Sequence, residues 1–178
     1  MSRRHPRIWL MTDERMGAAL FPALARLPRG AGIVFRHYAL PAEARRHLFD
    51  RVRSVARQRG LVLFLAGPGE EALRWGADGS HGTGGGKAGL PRSAPAHDLA
   101  ESRRAAAAGA DLLFVSPVFA TRSHPGAPVL GPLGYRRLAG ATRLPAIALG
   151  GMSAMRARMI GARGWAAIDH WLDEAPGA

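Results

Sequence analysis

Short apolar runs recur along the chain, and most are followed by a stretch whose apolar positions fall at helical spacing. The runs are Ile8–Asp13, Gly32–Tyr38, Leu61–Gly67, Asp78–Gly82, Leu112–Phe119, Ala146–Gly151 and Trp165–Asp169, with a poorer one near Ala94–His97. Several are continuous and aliphatic instead of alternating, which is how strands buried on both faces of a parallel sheet read. Between them the spacing predicts helices at Met16–Arg26, Pro41–Arg59, Gly69–Trp75, His97–Ala108, Pro132–Ala139 and Ala154–Ile160. The second helix has Pro41 at its start, where a missing N–H costs nothing, and Gly60 just past its end.

Eight strands in 178 residues leave about 22 residues per strand–helix unit, and a strand of about 5, a helix of about 11 and two loops of about 3 fill the same length. The class is therefore α/β, and the arithmetic fits a closed eightfold β/α barrel as one domain over residues 1–178. Such barrels usually run nearer about 250 residues, so some helices must be shortened or missing. Two places show it: Gly82–Pro91, after the fourth strand, has no helical pattern, and only nine residues follow Asp169 after the eighth. An open doubly wound sheet is the rival architecture, and periodicity alone does not separate the two.

Composition narrows the chemistry. With 47% hydrophobic residues the chain is expected to be globular, and no apolar run reaches the length of a membrane span. The apolar stretch behind the basic N-terminus is only Ile8 to Met11, too short for a signal peptide, so a cytoplasmic location is expected. Without cysteine there is no disulfide, thiolate metal site or thiol nucleophile. The 25 basic residues against 13 acidic ones give a net charge of +12, and Lys87 is the only lysine. Arginine suits phosphate. Yet the arginines are spread over helices, as at Arg45, Arg46, Arg51 and Arg53, and aromatics are too sparse to interleave with them, so no nucleic-acid partner is expected.

Four features carry candidate chemistry. Gly82 to Lys87 invites comparison with a phosphate-binding P-loop, but His81 and Ala88 stand where that motif needs glycine and a hydroxyl residue. What remains is a glycine loop, able to offer amides to a phosphate or simply to connect two strands. Gly150-Gly151 ends the seventh strand, where a barrel often holds a phosphate and where a tight turn would use the same residues. His81 and His97 both fall where strands reach the top of a barrel, as proton carriers or as structural histidines. Neither has a second histidine three or four residues on, and no metal site is indicated.

Taken together, three segments carry a resemblance. They are Gly109 to His124 (GADLLFVSPVFATRSH), Leu144 to Met152 (LPAIALGGM) and Gly161 to Ile168 (GARGWAAI). They resemble the C-terminal half of the thiamine phosphate synthase family, including its TenI-like thiazole tautomerase branch. Leu10–Asp13, Phe35-Arg36, Ala77–His81 and Ala96–Glu101 follow in that family's order. The resemblance implies a compact (β/α)8 TIM barrel, here with shortened or missing helices after strands 4 and 8. It implies either magnesium-dependent coupling of a pyrimidine diphosphate to a thiazole phosphate, or metal-free movement of a proton on the thiazole phosphate. By resemblance Arg36 meets a diphosphate, Thr121 and Ser123 contact phosphate, Gly150 and Gly151 form the thiazole-phosphate loop, and His97 is the acid and base.

The departures from the family pattern are as informative. Val34, Tyr38, Ala120 and His124 stand where it has Gln, Lys, Pro and Lys. Its metal-binding Asn-Asp and Asp fall here near Ala66-Gly67 and on Gly84 to Gly86, which offer magnesium no side-chain oxygen. Asp169 replaces the usual serine after strand eight, a carboxylate beside a phosphate unless an arginine pairs with it. The expectation is a thiazole-phosphate enzyme of thiamine biosynthesis acting on a small phosphorylated substrate, with magnesium only if synthase chemistry is retained. The alternative is a catalytically degenerate barrel that binds a phosphorylated ligand or partner in a regulatory role. No membrane partner is expected, and shortened helices leave room for a homo-oligomer.

Overall fold

Eight parallel strands close on themselves in sequence order, β1 to β8, with β1 hydrogen-bonded to both β2 and β8. The computed structural model describes residues 5–84, 89–122 and 126–172. The strands are β1 Ile8–Met11, β2 Gly32–Phe35, β3 Val62–Ala66, β4 Gly79–His81, β5 Arg92–Ala96, β6 Leu112–Val115, β7 Ala146–Ala148 and β8 Trp165–Ala167. Around them lie α1 Leu20–Arg26, α2 Ala42–Arg59, α3 Gly69–Trp75, α4 Leu99–Ala107, α5 Gly131–Ala139 and α6 Ala154–Ile160. Among the described residues no helix follows β4, and β8 is followed only by a 3-10 turn, Asp169–Trp171. No described helix is long and apolar enough to cross a membrane.

The barrel interior closes by pairing large side chains with glycine across neighbouring strands. Trp9 lies in register with Gly32, and Phe64 with Gly79. A Cβ on Gly32 would fall on the Trp9 indole, one on Gly79 on the Phe64 ring, and one on Gly164 on Ile147. The rings then fill the centre edge to face, Trp9 against Phe64 at 5.1 Å and against Phe114 at 5.3 Å. Aromatic pairs favour this geometry because the positive edge of one ring meets the negative face of the other.

Most helix ends follow the sequence. Pro41 leads into α2 and Gly60 closes it in the left-handed conformation, φ 64°. The expected Met16–Arg26 helix is instead a 3-10 segment, Glu14–Ala19, followed by α1, because Gly17 takes a non-helical conformation (φ 47°, ψ −125°). β5 lacks a hydrophobic signature because it opens on Arg92, which is buried at 3% exposure. The Arg92 guanidinium donates to Gly82 O at 3.2 Å and Ala108 O at 2.8 Å, tying the helix-less β4–β5 connection to the end of α4. The observed strands also stop earlier than the apolar runs do. Asp13, Arg36 to Tyr38, Pro117 to Phe119 and Gly150-Gly151 lie beyond the ladder as loops at its C-terminal mouth.

Candidate active site

That mouth holds a cavity of about 310 Å³. Of the residues singled out in the sequence, Arg36, His97, Thr121, Gly150 and Gly151 all line it, from the ends of β2, β5, β6 and β7. Ser123, like His124, lies outside the described residues. His81, Tyr38, Ser116, Asp169 and His170 complete the polar part of the described wall, over an apolar remainder that includes Met11, Leu149 and Ile168.

Arg36 is held from below by β1. Its amide donates to Thr12 Oγ1 (3.0 Å), its Nε to Thr12 O (2.8 Å) and its Nη2 to Asp13 Oδ2 (2.7 Å). A guanidinium has five N–H donors, so three remain without a partner among the described residues. Asp13 also takes the side chain and amide of Arg15. Partial burial pushes the Asp13 carboxyl up, but the hydrogen bonds from Arg15 and the charges of Arg15 and Arg36 outweigh it and hold the group below the usual carboxylate range. Thr12 Oγ1 also lies 2.9 Å from Nδ1 of His37, a buried residue at φ 42°.

The β7 loop strongly favours glycine. Gly150 sits at φ 93°, and a Cβ there would lie 2.8 Å from Pro117 Cα; Gly151 sits at φ 59°, with its Cβ direction blocked by Ala120 O. Arg156, stacked over the Phe119 ring at 4.9 Å, holds the Gly151 carbonyl. Among the described residues no acceptor takes the amide N–H of Gly150, Gly151 or Met152. Glycine's small size lets a ligand approach such amides, and successive N–H groups suit an anion.

Two histidines reach the cavity in different states. His97 is half exposed and is fixed by Glu101, whose Oε2 lies 2.8 Å from both its Nδ1 and its amide. Asp98 caps α4 by accepting from Glu101 N (2.7 Å), which sets that carboxylate in place. His81, at the end of β4, is buried. Its Nδ1 lies 2.9 Å from Ser93 Oγ, and Ser93 donates its one hydroxyl proton to Ser80 O at 3.3 Å. If Ser93 spends its proton on Ser80 O, Nδ1 carries the imidazole proton and Nε2 keeps a lone pair. Burial, with the nearby Arg36 charge, lowers the pKa of His81 to about 4. In the sequence, His81 is marked by its place directly before the glycine loop that begins at Gly82.

Asp169 resolves the awkwardness of a carboxylate at a phosphate site by pairing with Arg122, Oδ2 to Nε at 3.2 Å. The described residues offer magnesium no fitting ligand set. Among the described residues no group of three or more His, Asp or Glu side chains could hold a metal. Among the described residues the one carboxylate on the wall is Asp169, already engaged by Arg122.

Comparison with known proteins gives a consistent picture. A family profile described as "Thiamine monophosphate synthase" matches residues 93–170. The chain is 30% identical over 162 residues to the thiamine-phosphate synthase of Methanoculleus marisnigri, covering 83% of this chain and 77% of that one. It is 34% identical over 150 residues to the thiamine biosynthesis bifunctional protein ThiM/ThiE of Symbiobacterium thermophilum. That match covers 76% of this chain and 31% of the bifunctional protein, so the chain spans under a third of that relative. Among solved structures, thiamine phosphate pyrophosphorylase from Pyrococcus furiosus superposes with a TM-score of 0.76 at 25% identity, covering 92% of this chain and 85% of that one.

Proposed function

The chain belongs to the thiamine-phosphate synthase family, and from that premise we propose that its cavity binds a thiazole phosphate and moves a proton on its ring without a metal. The observation that carries this reading is the composition of the wall. Loop amides at Gly150 to Met152 and three N–H groups of Arg36 offer hydrogen bonds to one phosphate beside Thr121, while among the described residues no cluster of carboxylates could hold a magnesium ion. Coupling to a pyrimidine diphosphate expels pyrophosphate, whose charge needs a metal or several fixed cations. Tautomerisation expels nothing. A base removes a proton from one ring position and an acid returns one at another, so atoms and charge balance within the substrate.

His97 is the group for that transfer. Glu101 orients its ring through Nδ1, which leaves Nε2 as the ring atom for proton transfer in the cavity that His97 lines. His81, neutral and with its Nε2 lone pair inward, accepts a hydrogen bond from the substrate and holds the ring flat against the apolar wall. The test is to follow deuterium uptake into the thiazole phosphate by NMR, for the wild type and for His97→Ala. A parallel incubation adds the pyrimidine diphosphate and magnesium. Exchange that is lost in the variant, with no thiamine phosphate formed, supports the reading. Thiamine phosphate above the no-enzyme level overturns it in favour of synthase chemistry, and binding with no exchange overturns it in favour of a regulatory barrel.

A further inference from the structure

Three successive carbonyls after β7 are tied to groups that stand outside the cavity wall. Leu149 O accepts from Val118 N at 2.9 Å, Gly150 O accepts from Phe119 N at 3.1 Å, and Gly151 O accepts from the Arg156 guanidinium. In a trans peptide the carbonyl of one residue and the N–H of the next point in opposite directions. The N–H groups of Gly150, Gly151 and Met152 are therefore turned away from those donors, and all three residues line the cavity. Positive φ at both glycines lets the peptides point alike instead of alternating as they would along a strand.

The ties differ in kind. The first two are backbone bonds that carry the pairing of β6 and β7 beyond the strand ends. At Gly151 that pairing has run out, because Ala120 turns its carbonyl oxygen toward this glycine. One side chain supplies the donor instead. Arg156 reaches Gly151 O from the first turn of α6, with its guanidinium stacked over the Phe119 ring at 4.9 Å.

Resting on the reading of the cavity as a phosphate site, we propose that Arg156 is a positioning residue: it holds the Gly151–Met152 peptide so that the Met152 N–H meets the ligand phosphate. Arg156 itself stays outside the wall and does not touch the ligand. Without its donor, this peptide is free to turn, and a carbonyl oxygen swung toward a phosphate repels it.

The experiment uses Arg156→Met, which keeps a stem over Phe119 but no donor, and Arg156→Lys, which keeps one donor. Arg156 is exposed, and ligand-free thermal unfolding checks that both variants fold. Thiazole phosphate and inorganic phosphate are titrated calorimetrically into the three proteins at about 0.1 M and about 1 M salt, between which the screening length falls from about 10 Å to about 3 Å. Relative to the wild type at the same salt, the methionine variant should bind thiazole phosphate about tenfold more weakly at both concentrations, the worth of one hydrogen bond to a charged group. The lysine variant should stay within about threefold of the wild type, and the Met152 amide resonance of the ligand-free methionine variant should shift. A loss confined to low salt overturns the proposal, because Arg156 would then act as a charge and not as a support of the loop. Unchanged binding, an unmoved Met152 resonance, or a lysine variant as weak as the methionine one overturns it too. The same pattern with inorganic phosphate, but no thiazole phosphate binding in any protein, supports the role of Arg156 and refutes the proposed substrate; no binding of either ligand to the wild type overturns both.

Discussion

His81 makes the pH dependence of stability a test of how the cavity floor is built. The folded protein holds its pKa at about 4 against an ordinary 6.5, chiefly by burial. As pH falls below 6.5 the unfolded chain takes up a proton that the folded chain refuses, so stability is present above 6.5 and is lost down to about 4. A gap of about 2.5 pH units at 1.36 kcal/mol per unit gives about 3 kcal/mol in all, of which about 2 kcal/mol is gone by pH 5. The perturbation is His81→Asn, whose side-chain amide can replace the Nδ1–H bond to Ser93 but cannot titrate. Urea unfolding of both proteins, followed by tryptophan fluorescence, is compared from pH 7.5 to 4.5. At pH 7.5 the variant is the weaker protein by about 1–2 kcal/mol, for a lost ring contact with Phe114 and imperfect packing. That deficit shrinks as pH falls and vanishes near pH 5. The buried His37, also held below its ordinary value by burial, and the other histidines are common to both proteins and cancel in the difference. A deficit that stays constant across the range refutes the claim that His81 is held neutral, and with it the lone pair assigned to its Nε2.

Two substitutions test the glycines. Gly151→Ala places a methyl against Ala120 O at φ 59°; it should lower stability by about 1–3 kcal/mol and weaken thiazole phosphate binding at least about tenfold, read by calorimetry. Gly32→Ala pushes into the Trp9 indole far from the cavity; it should lower the melting temperature by roughly 2–12 °C, from about 1–3 kcal/mol of overpacking, and leave ligand affinity in the surviving folded protein within about twofold.

The barrel was legible because its cause is periodic. Continuous apolar runs spaced by helical stretches allow few parallel architectures, and the helix-less segment from Gly82 showed as a missing pattern. β5 was faint because Arg-Ser-Ala-Pro-Ala is buried by its neighbours' bulk and by the Arg92 bonds, not by its own hydrophobicity. The kink at Gly17 hides in a spacing that otherwise reads as one helix. For the site, Arg36, His97, Thr121 and the paired glycines were found through order and resemblance. Their partners were not, since the links Asp13 to Arg36, Ser93 to His81 and Arg122 to Asp169 join different strand ends across the closed barrel. No local spacing encodes them.

Thr12 shows how such a hidden link can be exposed. It is fully buried, and its hydroxyl serves two partners: it accepts from the Arg36 amide at 3.0 Å and lies 2.9 Å from His37 Nδ1. The hydroxyl and Nδ1 share one hydrogen bond, whose direction follows the His37 tautomer. Thr12→Val keeps the shape and strands both partners. An unsatisfied buried donor costs about 1–3 kcal/mol, so a loss of about 2–4 kcal/mol is expected for the pair, read as a lower urea midpoint. Because the Arg36 backbone is one of the stranded groups, its guanidinium also loses its fixed approach to the cavity, and thiazole phosphate affinity falls with stability. Thr12→Ser restores the hydroxyl without the methyl and should recover most of the ligand affinity while recovering stability only in part. If the valine variant binds as well as the wild type, Arg36 is positioned by Asp13 and the Thr12 carbonyl alone; if serine fails to rescue, the methyl packing and not the hydroxyl is what holds the second strand's end in place.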